Sequence, residues 1–243
     1  MANTVSFFEG SFGVGVTDSR GTTNIVVDEA PGGFRLFNDD GSTIVGLGLL
    51  SDDGGINILI GDPDTPGNTL EIENADLNLI AGKDRLEVLG SGKNIDASMS
   101  GGDRLIFDGR AAKSEFDTTT SESRTVIRFR GNDVSGNASR GNEFNLGSTT
   151  DKLVFGGAVR NSVINDQGGN DLYRFRGNIT NTEINLSADS QARIELSRNG
   201  IIDGLRINGA DQDDVLFIGS SEYRYQGDQT WASIEDPRDT RQF

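Results

Sequence analysis

From residue 84 onward the chain alternates polar and apolar positions in short bursts of the form D-x-φ-x-φ, where φ is apolar. The bursts are DRLEV from Asp84, DRLIF from Asp103, DKLVF from Asp151, DLYRF from Asp171 and DDVLF from Asp213. Two degenerate copies, TVIRF from Thr125 and ARIEL from Ala192, fill the gaps. The starts are separated by 19, 22, 26, 20, 21 and 21 residues, one period of roughly 20 with a single long interval. An alternation of period two puts the apolar residues on one side of a strand. Each burst therefore predicts a short, half-buried β-strand.

A second motif alternates with the first in strict order: an apolar residue followed by Asp or Asn. It occurs at Ile95-Asp96, Phe116-Asp117, Phe144-Asn145, Ile164-Asn165, Ile184-Asn185 and Ile207-Asn208. Gly90, Gly109, Gly131, Gly157, Gly177 and Gly219 punctuate the spaces between the motifs. A unit of this size cannot bury its own apolar side chains, but stacked on its neighbours at the ~4.8 Å strand spacing it builds a continuous core. The fold class predicted is all-β, a parallel β-solenoid with coils of about 20 residues and a rod length of roughly 30–35 Å.

One inward column is expected to hold Leu86/Val88, Leu105/Phe107, Ile127/Phe129, Leu153/Phe155, Tyr173/Phe175, Ile194/Leu196 and Val215/Phe217. A second holds the apolar residue of the other motif. The Asp or Asn after it is expected to stack along the axis at a corner, where Asn tolerates a left-handed backbone. Residues 1–60 lie outside the period and form a β-rich, non-repeat N-terminal cap or docking region. Residues 61–219 form the solenoid, with 61–83 as irregular early coils. Residues 220–243 form a C-terminal cap, since an open solenoid end is a bare sheet edge. The long interval is assigned to a Gly/Ser/Asn loop within 131–142.

Composition narrows the chemistry. The chain has no Cys and no His, which removes disulfides, thiol chemistry and the commonest general base. A net charge of −16 argues against nucleic acid and anionic membrane as partners. No apolar run approaches the roughly 20 residues of a membrane span, and the first residues lack the pattern of a secretory signal. Gly is abundant, as a chain of many tight turns requires.

GGNDLYRF, GGDRLIF and TTDKLVFGGAVRNSVIN resemble the degenerate repeats of hemolysin-type (RTX-like) calcium-binding proteins. They are similar above all to the repeats of surface and virion proteins of marine cyanobacteria and their phages. The resemblance covers about residues 80–219. It implies a β-solenoid, calcium as a cofactor held by Asp84, Asp103, Asp151, Asp171 and Asp213, and a place on a virion, a cell surface or another extracellular assembly. Read from the residues alone, each of these carboxylates is equally a turn-former that accepts backbone N–H bonds. A further acidic group, Asp39/Asp40 with Asp52/Asp53 and Asp62/Asp64, is assigned to solvated turns.

An enzyme acting on polysaccharide would use Asp84 and Asp103 beside Arg85 and Arg104 as acid, base and proton acceptor. These residues occupy repeat-equivalent positions, which points to scaffolding. The outward arginines at 85, 104, 128, 174 and 193 are expected to form a solvated strand face pairing with Glu87 and Glu195. The expectation is a non-enzymatic structural protein with no catalytic residues, whose partners are further copies of itself or other proteins of the same assembly.

Overall fold

The computed structural model describes residues 3–7, 12–16, 25–30, 33–38, 44–45, 47–51, 57–61, 70–79, 83–100, 102–131 and 139–243. Every regular element among them is a β-strand. Coils of about 21 residues stack in parallel into a β-solenoid of about 7 turns, as the period predicts.

Each coil contributes three strands. The D-x-φ-x-φ bursts supply the first, from Arg85–Val88 through Arg104–Phe107, Val126–Phe129, Lys152–Phe155, Leu172–Phe175 and Arg193–Leu196 to Val215–Ile218. A two-residue strand follows, as at Val159–Arg160 and Ile179–Thr180. The third carries the apolar-Asn motif, as at Val163–Asp166 and Glu183–Asn185. In the early coils Leu70–Leu79 and Gly90–Met99 run unbroken through the second and third positions.

One corner is left-handed in coil after coil. Asn74, Asn94, Lys113, Gly141, Asn161, Asn181 and Gly204 all have φ between 46° and 66°, a conformation that Asn and Gly tolerate best. Asn94 donates to the side chain of Asn74 at 2.9 Å, tying adjacent corners together. The Asn residues of the second motif take a different place. They sit outward on the third strands, where Asn165 donates to Asn145 at 2.9 Å, Asn185 to Asn165 at 2.9 Å and Asn208 to Asn185 at 2.8 Å. The predicted axial ladder is present, but the left-handed corner belongs to other residues four positions earlier.

The core is a stack of columns. Phe107, Phe129, Phe155 and Phe175 lie face to face with ring centroids 5.2–5.5 Å apart. Phe116 and Phe144 stack at 5.0 Å and meet the first column edge-on. These offset and T-shaped geometries suit the ring quadrupole. Large rings need small partners in the same layer, and Gly92 and Ala97 provide them: a Cβ on Gly92 would lie 2.9 Å from both Ile95 Cγ1 and Phe107 Cε1.

Three expected column members, Ile95, Val215 and Phe217, stand elsewhere. Ala97, not Ile95, stands in register with Phe116. Ile95 is buried at the corner position that Ser114 takes in the next coil, filling the room left by Gly92. In the last coil Ile194 pairs with Leu216 and Leu196 with Ile218, so Leu216 and Ile218 face inward in place of Val215 and Phe217. Phe217 points outward beneath the Arg193 guanidinium, 4.1 Å from its ring centroid.

The glycines between the motifs allow close approach of neighbouring coils. A Cβ on Gly177 would stand 2.4 Å from the carbonyl carbon of Gly157, a separation no side chain can take. Gly200 stands against Gly177 in the same way, with its own virtual Cβ 2.8 Å from the Gly177 carbonyl oxygen, whereas a Cβ on Gly219 would meet Arg198 Cβ at 2.8 Å.

Parallel stacking reaches back beyond residue 61. Gly33–Asn38 pairs in parallel with Asn57–Ile60, and Leu47–Ser51 with Leu70–Leu79. The antiparallel strands Asn3–Phe7, Phe12–Val16 and Ile25–Ala30 precede this stack. At the far end Ser221–Gly227, Thr230–Ser233 and Thr240–Gln242 turn back as an antiparallel meander on Val215–Ile218. Tyr223 and Trp231 are buried there, closing the core. The Asp39/Asp40, Asp52/Asp53 and Asp62/Asp64 group, and most of the loop expected within 131–142, lie outside the described residues.

Candidate functional site

Two sets of polar residues emerge from the stack, one inside and one outside. The inner set contains Asp84, Asp103, Asp151 and Asp171, all buried at the start of the first strand. Asp213 is not among them. It is exposed, and Asp214 occupies the equivalent buried position one residue later.

Four carboxylates of this kind, Asp103, Asp151, Asp171 and Asp214, accept the backbone N–H of the equivalent residue one coil before. Asp103 accepts from Asp84 at 3.0 Å, Asp151 from Thr125 at 3.1 Å, Asp171 from Asp151 at 2.5 Å and Asp214 from Ala192 at 2.8 Å. The second oxygen binds a turn of its own or a neighbouring coil. Asp103 takes the Ser100 N–H at 3.2 Å, Asp214 the Asp211 N–H at 2.9 Å and Asp151 the Thr118 hydroxyl at 2.8 Å. Thr125 and Ala192 mark the coils in which the clamp has no carboxylate.

The inner set becomes denser around Asp171. The Tyr173 hydroxyl lies 2.7 Å from Asp166 Oδ2 and 3.1 Å from Asp171 Oδ2, and the Ser190 hydroxyl donates to Asp166 at 2.7 Å. Asp166 also takes the Gly168 N–H at 2.6 Å. Burial, then the Asp166 charge, pushes the Asp171 carboxyl up to about 9. Burial also raises Asp151 to about 6 and Asp214 to about 6. Tyr173 rises well above its ordinary value, chiefly through burial. A neutral Asp171 beside an acceptor carboxylate can share its proton, which is how two carboxyls tolerate one dry site.

These groups do not fit a calcium shell. Calcium takes six to eight oxygens, whereas the repeat carboxylates come at most one per coil, and those of Asp103, Asp171 and Asp214 turn their oxygens to N–H and O–H donors. Among the described residues no three acidic side chains converge as a metal centre requires.

The candidate acid, base and arginine set is also separated. Asp84 and Asp103 are 1% and 0% exposed inside the corner, while Arg85 and Arg104 project from the outer face of the strands that follow. The stack brings the two carboxyl-bearing turns together and leaves both arginines on the opposite side of the sheet.

The outer set lies on that arginine-bearing face, and only part of it matches the expected solvated pairs. Glu87 pairs with Arg85 at 2.5 Å and with Arg130 at one end of the face. Glu195 pairs with Arg193 at 2.7 Å and with Arg174 at the other. Between these ends the outward positions of four successive coils read Arg104/Ile106, Val126/Arg128, Lys152/Val154 and Leu172/Arg174. Cation and aliphatic exchange columns at every step, so the cations form a zigzag.

Ile106 and Val154 face outward yet are 3% and 4% exposed, covered by this zigzag. With Arg124 and Arg176 the cations line a groove of about 510 Å³ that no carboxylate lines. Partial burial, then Arg124, Arg174 and Arg128, holds the Lys152 pKa below its ordinary value against a smaller opposing effect of Glu195. The sequence shows each of these cations, but their concentration appears only once the coils are in register.

Comparison with protein-family models, with curated proteins and with solved structures returned no match. Among the described residues no helix is long and apolar enough to cross a membrane. The fold defines a class, the β-solenoid repeat proteins.

Proposed function

We propose that this β-solenoid is a non-enzymatic structural protein: a rigid rod or knob in a virion or another extracellular assembly. The observation that carries the reading is the clamp of a buried carboxylate on the backbone of the coil before, present in four coils. Groups capable of acid–base or metal chemistry are spent on holding neighbouring coils together. The aromatic columns and the Asn ladder serve the same end, and repeated positions serve structure before they serve a unique site. The resemblance of the repeats to surface and virion proteins supports the location. Size-exclusion chromatography with light scattering, followed by electron microscopy, tests it. Ordered oligomers or particle-bound copies are expected; a chain that stays monomeric and degrades a polysaccharide would overturn the reading.

A further inference from the structure

We infer that the cationic groove binds a linear acidic glycan of the polyuronate type, laid along the solenoid axis. The charge contrast comes first. On a chain of net charge −16, Arg104, Arg124, Arg128, Lys152 and Arg176 crowd one groove, and none has an ion-pair partner among the described residues. Such a groove concentrates field of the opposite sign and draws an anion. Its floor of Ile106, Val126 and Val154 is apolar, so the occupant has both anionic groups and C–H surface.

Spacing selects the class. Arg104, Arg128, Lys152 and Arg174 alternate between two columns, with a rise of about 4.8 Å per coil. A flat, two-fold ribbon of uronate rings places successive carboxylates on alternate edges, with a rise per ring close to one coil. Successive carboxylates then meet Arg104, Arg128 and Lys152 in the correct columns, with Arg174 shared with Glu195 at the end, and guanidinium forks suit carboxylates bidentately. An acidic peptide strand fails this match, because its side chains on one face recur at about 6.7 Å. Single-stranded nucleic acid finds no aromatic side chain in the groove lining on which to stack its bases. Glu87 and Glu195 close the ends of the face, which sets the occupied length at about four rings.

This inference is independent of the assembly reading, since ligand binding is measured on the isolated chain. Isothermal titration of the full chain with β-1,4-linked di-, tetra- and hexamannuronate, whose diequatorial linkages give the flat two-fold ribbon, at low and at physiological salt, tests it. The tetramer and hexamer are expected to bind and to weaken as salt rises, with the dimer far weaker. Lys152→Glu and Arg128→Glu are each expected to lower affinity about tenfold or more with the melting temperature unchanged. Arg128→Gln, a milder outward change, is expected to give a smaller loss of the same sign. Equal binding of a neutral oligosaccharide of the same length would overturn the inference. Binding of oligodeoxythymidylate or of polyphosphate without uronate would do so too, as would absence of uronate binding or affinity unmoved by all three substitutions.

Discussion

The backbone N–H of Asp151 donates to Oδ1 of Asp171 at 2.5 Å, although the two residues are 20 apart in sequence. One side chain thereby fixes the height and phase of the coil before it. The bond belongs to a series from Asp84–Asp103 to Ala192–Asp214, and the series accounts for the recurrence of Asp at the head of the burst.

The last clamp separates two adjacent carboxylates. Asp214→Ala leaves the buried Ala192 N–H without its acceptor, a cost of about 1–3 kcal/mol, and frees the half-buried Asp211 N–H at a smaller cost. Asp213 is exposed, and Asp213→Ala is expected to change stability by about 0.5 kcal/mol or less. Urea unfolding of the two variants measures the difference.

The pH dependence follows from Asp171. Its carboxyl has an ordinary value of 3.8 and a folded value of about 9, so between those pH values the folded chain holds a proton that the unfolded chain has lost. Stability contributed by this group is therefore full below its unfolded pKa and declines as pH rises towards the folded value. Asp151 and Asp214 act in the same direction up to about 6. Glu87 and Glu195 act oppositely: partial burial raises them, but Arg85 and Arg130, and Arg174 and Arg193, outweigh it and hold both below their ordinary 4.5. Their contribution is lost as pH falls through those lowered values. The melting temperature is expected to be higher near pH 5 than near pH 8. Asp171→Asn should raise it at pH 8 by a few degrees and flatten the slope; thermal melts by circular dichroism across this range report both.

The register of the last coil is tested by neighbours that differ in facing. Leu216→Ala opens a cavity and is expected to cost about 2–5 kcal/mol, whereas Phe217→Ala removes a partly exposed ring and costs about 1 kcal/mol or less. Phe129, between Phe107 and Phe155, gives the upper reference, at about 3–5 kcal/mol for its change to Ala. Equal losses at Leu216 and Phe217 in chemical denaturation would contradict the pairing.

Close approach of coils makes Gly177 intolerant of a side chain. Gly177→Ala forces a Cβ to within 2.4 Å of the Gly157 carbonyl carbon, and the rigid backbone of the neighbouring coil cannot yield cheaply. A loss of several kcal/mol, or insoluble expression, is expected. Gly141→Ala has no neighbour within 4 Å and meets only the strain of its φ of +63°, about 1–2 kcal/mol.

The coil, its length and most of its core were legible because period-two alternation and a fixed spacing are properties of the chain itself. Leu153 and Phe155, for example, share a face whatever surrounds them. The failures came where two registers satisfied the same local pattern. DDVLF offers two Asp residues and two alternations, and the choice of Asp214 follows from the clamp on Ala192, which is a contact between coils. Ile95 misled in the same way, because its true neighbour in the stack is Ser114 across a corner. The cationic zigzag was hidden for the same reason: Arg104, Arg128, Lys152 and Arg174 are scattered along the chain and meet only through stacking.

The repeat carboxylates hold neighbouring coils together through hydrogen bonds. Melting of the wild-type chain in excess calcium and in excess chelator tests this most directly, with Asp103→Ala and Asp171→Asn melted alongside. One melting temperature is expected in both conditions, with a loss in Asp103→Ala equal in both and a gain for Asp171→Asn near pH 8. A chelator-induced fall of several degrees in the wild type, abolished in these variants, would contradict it.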